Sequence, residues 1–187
     1  MKIIETIADE LGFARTISRL AHEILERNKT LENVVLIGIR TRGEYIARRL
    51  AAYLEEVEDV TVPLGVLDVT MYRDDVRGHL KQPLPHTTEI SFDIDGKTVI
   101  LVDDVLYTGR TARAALDALA DLGRPACVQL AILVDRGHRQ LPIRADFTGK
   151  SVTTLEHEEI CVLVKEIDER DAILLVETPD HQQPGKD

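Results

Sequence analysis

The sequence predicts an α/β domain built on a doubly wound, mainly parallel sheet. Short apolar runs at residues 34–39 and 99–102 are rich in β-branched side chains, which is typical of strands buried on both faces. Between such runs the apolar residues return to spacings of three and four, as in amphipathic helices. Strands that alternate with helices favour right-handed crossovers and place ligands at the carboxyl ends of the strands. The length of 187 residues fits one domain, which we expect to span residues 1–178.

The first half of the chain is predicted to run helix, strand, helix, strand. Residues 9–27 form the first helix, because apolar side chains recur at helical spacing: Leu11, Ala14, Ile17, Leu20, Ala21, Ile24 and Leu25. After strand 34–39 and a glycine-containing loop, residues 45–54 return to helical spacing and residues 60–69 form a strand. Residues 70–89 are polar, contain two prolines and lack a sustained period, so they predict a long loop of the kind that often acts as a lid.

The second half is predicted to add one helix and four strands, the first of them at residues 99–102. The helix occupies residues 111–122 and ends at Gly123, and a strand follows at residues 128–134. The chain then has no clear pattern until two apolar runs at 160–164 and 172–176. These runs predict two late strands that could pair with each other.

Charge and composition restrict the classes of function. The net charge of −10 argues against non-specific binding of nucleic acid, although residues 151–187 alone hold ten acidic and three basic side chains. No apolar run approaches the ~20 residues that cross a bilayer. Charged residues also occupy the N-terminus, where a signal peptide would have its apolar core. We therefore expect a cytoplasmic protein without a membrane segment, and a polar, disordered tail at residues 179–187.

Two cysteines, Cys127 and Cys161, lie in apolar stretches that are predicted strands. Neither belongs to a CxxC pair nor has a neighbouring histidine, so a metal site is not indicated. The sequence predicts that both are reduced residues of the core.

The motif that carries chemistry is the string at residues 99–111, Val-Ile-Leu-Val-Asp-Asp-Val-Leu-Tyr-Thr-Gly-Arg-Thr. Its strand delivers Asp103 and Asp104 to a carboxyl end, and Gly109 lies where the next helix begins. Backbone N–H groups at a helix N-terminus bind phosphate, a glycine permits close approach, and hydroxyls add donors. Two adjacent carboxylates would instead suit ribose hydroxyls or a hydrated Mg²⁺. Taken alone, an acidic pair before a helix would indicate only a capping turn.

The complete string resembles the signature of type I phosphoribosyltransferases, which bind 5-phosphoribosyl-1-pyrophosphate (PRPP). The resemblance implies the type I phosphoribosyltransferase fold, with a small hood at about residues 135–159 and a flexible lid loop at about residues 70–89. It implies that Asp103 and Asp104 hold the ribose and meet Mg²⁺ indirectly, through Mg-PRPP. The residues that it implies for substrate binding in this string are Asp103, Asp104, Val105, Leu106, Tyr107, Thr108, Gly109, Arg110 and Thr111.

Two further segments resemble the family's pyrophosphate loop and its mobile lid. The pyrophosphate loop is residues 38–43, where such proteins often have a non-proline cis peptide. The residues implied to grip pyrophosphate there are Arg40, Thr41, Arg42 and Gly43. The lid includes residues 72–75, with Arg73 reaching the pyrophosphate after closure, and Arg42 and Arg73 thus join the two aspartates as implied catalytic residues. Without the resemblance, the loop arginines would be taken for surface charges and the lid for a solvated loop.

Residues 133–150 separate members of this fold, and here they closely resemble the bifunctional regulators of pyrimidine operons. These proteins transfer phosphoribose to uracil and also bind leader RNA of pyrimidine-biosynthesis genes, with UMP strengthening the binding. The resemblance covers about residues 10–155. It implies the reaction of uracil and PRPP to UMP and pyrophosphate, in which groups around Val134, Asp135 and Arg136 select uracil. It also implies a homo-oligomer, at least a dimer.

The same resemblance implies a basic RNA-binding surface apart from the active site. Its residues are Ser18, Arg19, His22, Arg27, His138, Arg139, Arg144 and Lys150. Arginine and lysine would contact phosphates, while hydroxyls and histidines could meet unpaired loop bases. Residues 152–159 depart from the family, because three acids replace a polar and basic segment and would repel phosphate within a Debye length of ~8 Å. Solvation is the simpler interpretation of His22 alone.

Three functions remain open at this point. The main hypothesis is an RNA-binding regulator that also has uracil phosphoribosyltransferase activity. A plain uracil phosphoribosyltransferase of pyrimidine salvage is the alternative. A purine-base transferase on the same fold should have a lysine and a stacking aromatic residue in its hood, and residues 135–139 offer no such pair.

Overall fold

The computed structural model describes residues 2–73 and 87–178. In chain order the elements are β1 (Lys2–Ala8), α1 (Glu10–Asn28), β2 (Val34–Ile39), α2 (Arg42–Glu58), β3 (Leu64–Leu67), a 3-10 helix (Thr70–Tyr72), β4 (Thr98–Leu106), α3 (Arg110–Leu122), β5 (Cys127–Asp135), β6 (Phe147–Ser151), β7 (Glu158–Leu163), α4 (Lys165–Asp168) and β8 (Ala172–Glu177). The greater part of the predicted lid, residues 74–86, and the predicted disordered tail at residues 179–187 lie outside the described residues.

A five-stranded sheet with the order β3-β2-β4-β5-β6 forms the centre of the domain. Its neighbouring strands are all parallel, so the predicted doubly wound sheet is confirmed. Along β2, Val34 and Leu36 enter the core cluster beneath α1 and α2, whereas Val35 and Ile37 enter the cluster beneath α3. Helices on both faces explain the continuous apolar strands. They also leave the carboxyl ends of the strands as the open edge, where ligands bind in such sheets.

The helices end near the predicted residues, because local side chains define their ends. The Asp9 carboxylate accepts a hydrogen bond from the backbone N–H of Gly12 at 2.8 Å and caps α1. Helix α3 ends at Gly123, as predicted. Helix α2 begins at Arg42, earlier than predicted, so the pyrophosphate loop runs directly into its first turn.

A second, antiparallel sheet has the order β1-β8-β7. It confirms that the two late strands pair with each other, and α4 lies in their connection. We refer to β7, α4 and β8 as the C-terminal hairpin. Strand β1, which pairs with β8, was not predicted because its residues are mostly exposed and do not alternate between apolar and polar.

Several local predictions were wrong. Strand β6 lies in the stretch expected to be irregular, since its sequence Phe-Thr-Gly-Lys-Ser has one large apolar residue, which is enough at a sheet edge. Strand β3 is only four residues long. Cys127 is exposed rather than in the core, because it is the first residue of β5 and this strand begins at the surface. Cys161 is half-buried, and both thiols are free. In the part of the chain that the structure describes, no helix is both long and apolar enough to cross a membrane.

Gly43 brings α2 against β4 and leaves no room for a side chain. A Cβ atom there would lie 2.5 Å from the carbonyl oxygen of Val102 and 3.1 Å from the Cα of Asp103. Both belong to the backbone of a central strand, which cannot easily move. We expect Gly43→Ala to lower the free energy of unfolding by about 1–3 kcal/mol, the usual cost of overpacking, as measured by urea denaturation.

Gly12→Ala is the control for this substitution. The nearest atoms to a Cβ at Gly12 belong to side chains, at 3.1 and 3.2 Å, so small shifts can relieve the contact. Its effect should therefore be smaller. An unchanged unfolding midpoint for Gly43→Ala would contradict the close approach of α2 and β4.

Candidate active site

The predicted phosphate loop connects β4 to α3. Gly109 has a φ of 92°, which L side chains avoid, and the backbone turns there directly into α3. The first-turn N–H groups of α3 have no carbonyl partner within the helix, and the helix dipole adds a positive end. The loop therefore forms an anion-binding terminus. It surrounds a cavity of about 220 Å³ lined by Arg73, Asp103, Val105, Leu106, Tyr107, Thr108, Gly109, Arg110, Thr111 and Ala112.

The segment after β5 holds this loop in place. The carbonyl oxygen of Thr108 accepts hydrogen bonds from the backbone N–H groups of residues 140 and 141, at 3.0 and 3.1 Å. The Arg139 guanidinium donates to the carbonyl oxygen of Tyr107 at 2.7 Å and pairs with the Asp135 carboxylate. All three guanidinium nitrogens of Arg139 have partners within the protein. Arg139, which was predicted to bind RNA, thus joins the end of β5 to the phosphate loop.

Asp103 and Asp104 lie near the end of β4, and Asp103 lines the cavity. The Asp103 carboxylate accepts the backbone N–H of Asp104 at 3.0 Å, and the Asp104 carboxylate accepts that of Val105 at 2.9 Å. Burial raises the pKa of Asp103 well above its usual range, the Asp104 carboxylate raises it further, and Arg73 partly opposes the change. A ligand that donates hydrogen bonds, such as a diol, would satisfy this largely buried carboxylate.

The pyrophosphate loop follows β2. The peptide bond between Arg40 and Thr41 is cis, as the resemblance implied. Arg40 donates to Glu89 at 2.6 Å, while its buried Nε has no hydrogen-bond partner among the described residues. Arg42 pairs with Asp168 through contacts of 3.0 to 3.3 Å. Acids from distant segments therefore balance both loop arginines, which are not ordinary surface charges.

Both ends of the predicted lid are attached to the body of the domain. At its start, the Tyr72 hydroxyl donates to a carboxylate of α3 at 2.8 Å. At its end, Glu89 and Val66 of β3 exchange backbone hydrogen bonds of 2.8 and 2.9 Å. Arg73 lines the phosphate-loop cavity and acts on the pKa of Asp103. The described start of the lid segment thus lies at the edge of the site.

A second cavity, of about 390 Å³, lies at the end of β5 and is lined by Asp135, Arg136, Gly137, His138, Ser151, Val152 and Thr153. Arg136 is 6% exposed and donates to the Thr154 hydroxyl at 3.2 Å and the Glu158 carbonyl oxygen at 2.6 Å. Its guanidinium lies 4.1 Å from the ring centroid of Tyr107, a cation–π contact. This contact joins the two cavities. Val134, the third residue predicted to select uracil, is buried in the core.

The acid pair is suited to an indirect metal role. No group of three or more potential metal ligands occurs in residues 2–73 and 87–178. Mg²⁺ commonly binds through one or two carboxylates together with waters and substrate phosphates. Asp103 and Asp104 beside an anion-binding loop fit an ion that arrives with a phosphorylated ligand.

Four of the residues predicted to bind RNA lie along α1 and β6. Arg19 donates to a β6 carbonyl oxygen, and Arg27 pairs with Asp146 at 2.8 Å. Lys150 lies on β6, and the exposed Arg144 lies shortly before that strand. We call Arg19, Arg27, Arg144 and Lys150 the α1–β6 face. Its four cations lie outside the two cavities described above; Arg19 and Arg27 are paired with Glu23 and Asp146, and Arg144 lines a further cavity with Leu116 of α3.

The other predicted RNA contacts lie elsewhere. The Ser18 hydroxyl donates to the Tyr53 hydroxyl at 2.9 Å, and the His22 ring lies edge-on to the Tyr53 ring at 5.3 Å. These two residues therefore lie at the α1–α2 contact. A ring nitrogen of His138 lies 2.7 Å from the Thr154 carbonyl oxygen, and His138 lines the second cavity. The structure thus places His138, like the arginine that follows it, at the candidate active site.

The acidic segment 156–159, at the end of the hood, is held by contacts with other parts of the domain. The Glu158 carboxylate accepts the backbone N–H of Leu155 at 2.7 Å, and the Glu158 carbonyl oxygen accepts from Arg136. The His157 carbonyl oxygen accepts the backbone N–H of Thr178 at 3.0 Å. These contacts connect the segment to the second cavity and to β8, whereas Arg19 and Arg27 contact residues 146–149.

Sequence reasoning missed the acids that balance the site. Glu89 lies 49 residues from Arg40, and Asp168 lies 126 residues from Arg42. No local spacing reveals such pairs. The one available signal was the surplus of acids in residues 151–187, which was not linked to any arginine.

Comparison with known proteins agrees with this arrangement. The sequence matches the phosphoribosyl transferase domain family over residues 4–167. It is 54% identical to the Bifunctional protein PyrR of Pelotomaculum thermopropionicum over 172 residues, which cover 92% of this chain and 95% of that protein. It is 57% identical to the Bifunctional protein PyrR of Roseiflexus sp. (strain RS-1) over 173 residues, with coverages of 92% and 94%.

Solved structures share the fold. The hypoxanthine phosphoribosyl transferase of Trypanosoma cruzi superposes with a TM-score of 0.72 at 17% identity, covering 94% of this chain and 92% of that one. The hypoxanthine-guanine phosphoribosyltransferase of Bacillus anthracis gives 0.69 at 20% identity, with coverages of 94% and 99%. At these identities the likeness shows the fold alone.

The predictions of a type I phosphoribosyltransferase fold and of a phosphoribosyltransferase that is also a regulator are confirmed. The alternative of a plain salvage enzyme is not favoured by relatives that are bifunctional. The chain belongs to the phosphoribosyltransferase family and, within it, to the bifunctional PyrR proteins.

Proposed function

We propose that this protein transfers phosphoribose from PRPP to uracil, giving UMP and pyrophosphate, and that it binds leader mRNA of pyrimidine genes in a UMP-dependent manner. The observation that carries the enzymatic half is the pair of cavities joined by the Tyr107–Arg136 contact. A nucleotide with its phosphate on the phosphate loop and its base beside β5 would bridge the two. We further propose that the protein acts as a homodimer or a larger homo-oligomer.

The phosphate loop holds the 5′-phosphate of PRPP in this proposal. First-turn N–H groups of α3 and the hydroxyls of Thr108 and Thr111 donate hydrogen bonds to it, and Gly109 allows it to approach. Asp103 and Asp104 accept hydrogen bonds from the ribose hydroxyls and so fix C1′. No covalent nucleophile is required, and the protein acts mainly by placement.

The pyrophosphate loop receives the leaving group. Arg40, Arg42 and the N–H groups at the start of α2 stabilise its charge as the bond from C1′ to oxygen breaks. Asp103 and Asp104 would hold Mg²⁺ indirectly, through Mg-PRPP, and the ion would neutralise further charge on the leaving group. Arg73 approaches as the lid closes, which excludes water from the oxocarbenium-like centre.

Uracil occupies the cavity at the end of β5. Its edge alternates carbonyl and N–H groups, which the backbone around Asp135 and Arg136 can match. The bond from C1′ to N1 forms on the side opposite the leaving group, and the proton lost from N1 passes to the departing pyrophosphate. The proposal needs no lysine and no stacking purine pocket in the hood.

The α1–β6 face binds the RNA backbone in the regulatory half of the proposal. Its four cations supply the charge that phosphate contacts require. Strand β6 also pairs with β5 at the base cavity, where Lys150 is in register with Val134 and Ser151 with Asp135. UMP in that cavity would therefore contact the strand that carries part of the RNA face, which supports UMP-dependent binding.

Base specificity tests the enzymatic half. With Mg²⁺ and PRPP, we expect UMP from uracil and no nucleotide from hypoxanthine or guanine, because residues 135–139 of the hood offer no lysine and stacking aromatic pair for a purine. Products would be separated by anion-exchange chromatography. Preferential turnover of a purine base would contradict the assignment.

Asp103→Asn should raise thermal stability and lower turnover. The raised pKa of Asp103 means that its neutral form stabilises the fold. This contribution is complete below the ordinary aspartate pKa of about 3.9 and is lost as the pH rises through the higher folded value. Asparagine keeps the hydrogen-bond acceptor without the charge, so the melting temperature of the variant should exceed that of the wild type by a margin that grows with pH. Each kcal/mol of stability corresponds to about 2–4 °C.

Thermal unfolding from pH 4 to pH 8 measures this difference, and the uracil assay measures turnover. The cause is burial of a charge that the substrate needs, so stability and activity should change in opposite directions. A variant that unfolds at a lower temperature than the wild type at pH 8 would contradict the buried, destabilising carboxylate.

Arg144→Ala tests the RNA face. Binding to the leader RNA of the organism's own pyrimidine genes, titrated across a salt series with and without UMP, should weaken at every salt concentration. The slope of log affinity against log salt should decrease by about 1, as for the loss of one phosphate contact. Arg124→Ala removes an exposed arginine before β5 and serves as the control. Equal effects of the two variants, or no effect of UMP on the wild type, would contradict the proposal.

A further inference from the structure

Arg42 is held by a two-pronged contact with the C-terminal hairpin. Its Nη2 donates to both oxygens of Asp168, at 3.0 and 3.2 Å, and its Nε donates to one of them at 3.3 Å. The side chain of Asp168 is 18% exposed and that of Arg42 is 33% exposed. A contact of this kind sets the plane of the guanidinium as well as neutralising it.

Asp168 is itself fixed by its own segment. Its Oδ2 also accepts the backbone N–H of Val164 at 2.9 Å, just before α4. A second pair attaches the same segment to α2, since Arg49 donates to Asp171 at 2.8 Å and Asp171 accepts the backbone N–H of Lys165 at 2.9 Å. The Asp168 carboxylate therefore has a defined position that does not depend on Arg42 alone.

The contact leaves part of Arg42 available for a ligand. Its Nη1 has no hydrogen-bond partner among the described residues, because Asp168 engages only Nε and Nη2. Arg42 is also the first residue of α2, next to the cis peptide bond of the pyrophosphate loop. Burial raises the pKa of the Cys161 thiol on β7, and the charges of Arg42, Asp168, Glu159 and Asp104 also act on it.

We propose that Asp168 is a positioning residue for pyrophosphate: it holds Arg42 in the orientation that meets the leaving group and so couples the C-terminal hairpin to the pyrophosphate loop. The inference rests on the proposed function, which supplies pyrophosphate as the leaving group. The charge of Asp168 alone would repel that anion. The gain from orienting Arg42 outweighs this repulsion, because a guanidinium that is already held in place loses less rotamer freedom when pyrophosphate binds than an untethered one.

Asp168→Asn tests the inference, since asparagine removes the charge but can still accept the Val164 N–H. We expect the KM for PRPP and the Kd for pyrophosphate to rise about tenfold, the effect of one charge-assisted hydrogen bond. The kcat and the KM for uracil should change less. Calorimetric titration with pyrophosphate alone measures the Kd without uracil turnover.

Asp171→Asn is the matched control. It removes one of two acidic partners from Arg49, which keeps Glu166 and lies seven residues from Arg42 on α2, outside the pyrophosphate loop. Whatever thermal stability it loses, Asp171→Asn should leave the KM for PRPP and the Kd for pyrophosphate unchanged. Equal effects of the two variants on these constants, or tighter binding of pyrophosphate by Asp168→Asn, would overturn the inference.

A double-mutant cycle separates positioning from a general structural role. If Asp168 acts through Arg42, Asp168→Asn should have no further effect on pyrophosphate affinity in an Arg42→Ala background. Additive effects would mean that Asp168 acts by another route and would overturn the inference. Absence of uracil turnover by a wild-type protein that binds pyrophosphate would refute the proposed function instead, and the affinity comparison would still decide the role of Asp168.

Discussion

Two adjacent carboxylates lie near the end of the central strand β4, at an edge of the sheet where three arginines also lie. Charges in such a place must be balanced, because burial in a low dielectric penalises each of them. Arg40 is balanced by Glu89, Arg42 by Asp168, and Arg73 acts on the carboxyl of β4. Glu89 and the C-terminal hairpin thus contact the same site, each through an arginine of the pyrophosphate loop. An anionic ligand would alter both contacts together.

The proposed enzymatic and regulatory surfaces share one strand, β6. Strand β6 pairs with β5 on the side of the base cavity, and Arg19 of the α1–β6 face donates to its backbone. Arg139 joins the end of β5 to the phosphate loop. A structural change at the base cavity would therefore affect both β6 and the phosphate loop. The chain therefore requires no separate domain for an effector that is also its product.

The extent of prediction from sequence follows the range of the interactions. The strand at residues 34–39 and the glycine entry to α3 were predicted, because apolar runs and glycine conformations are local signals. Strands β1 and β6 were missed because each lies at a sheet edge, where burial imposes little pattern on the sequence. The inward role of Arg139 was also missed. A guanidinium that bonds to carbonyl oxygens leaves no trace in the composition of those residues.

The dependence of sequence prediction on local signals also explains how a chain with a net charge of −10 can have a basic face. Three of the ten acids in residues 151–187 neutralise arginines of α2: Asp168 pairs with Arg42, while Glu166 and Asp171 pair with Arg49. These carboxylates neutralise arginines within the domain. An RNA phosphate backbone bound at the α1–β6 face would not replace these contacts. The charge that matters for RNA is that of the side chains left exposed around the α1–β6 face, within about a Debye length of ~8 Å. Net charge counts both kinds of acid equally, and it is therefore a poor measure of whether this protein can bind a nucleic acid.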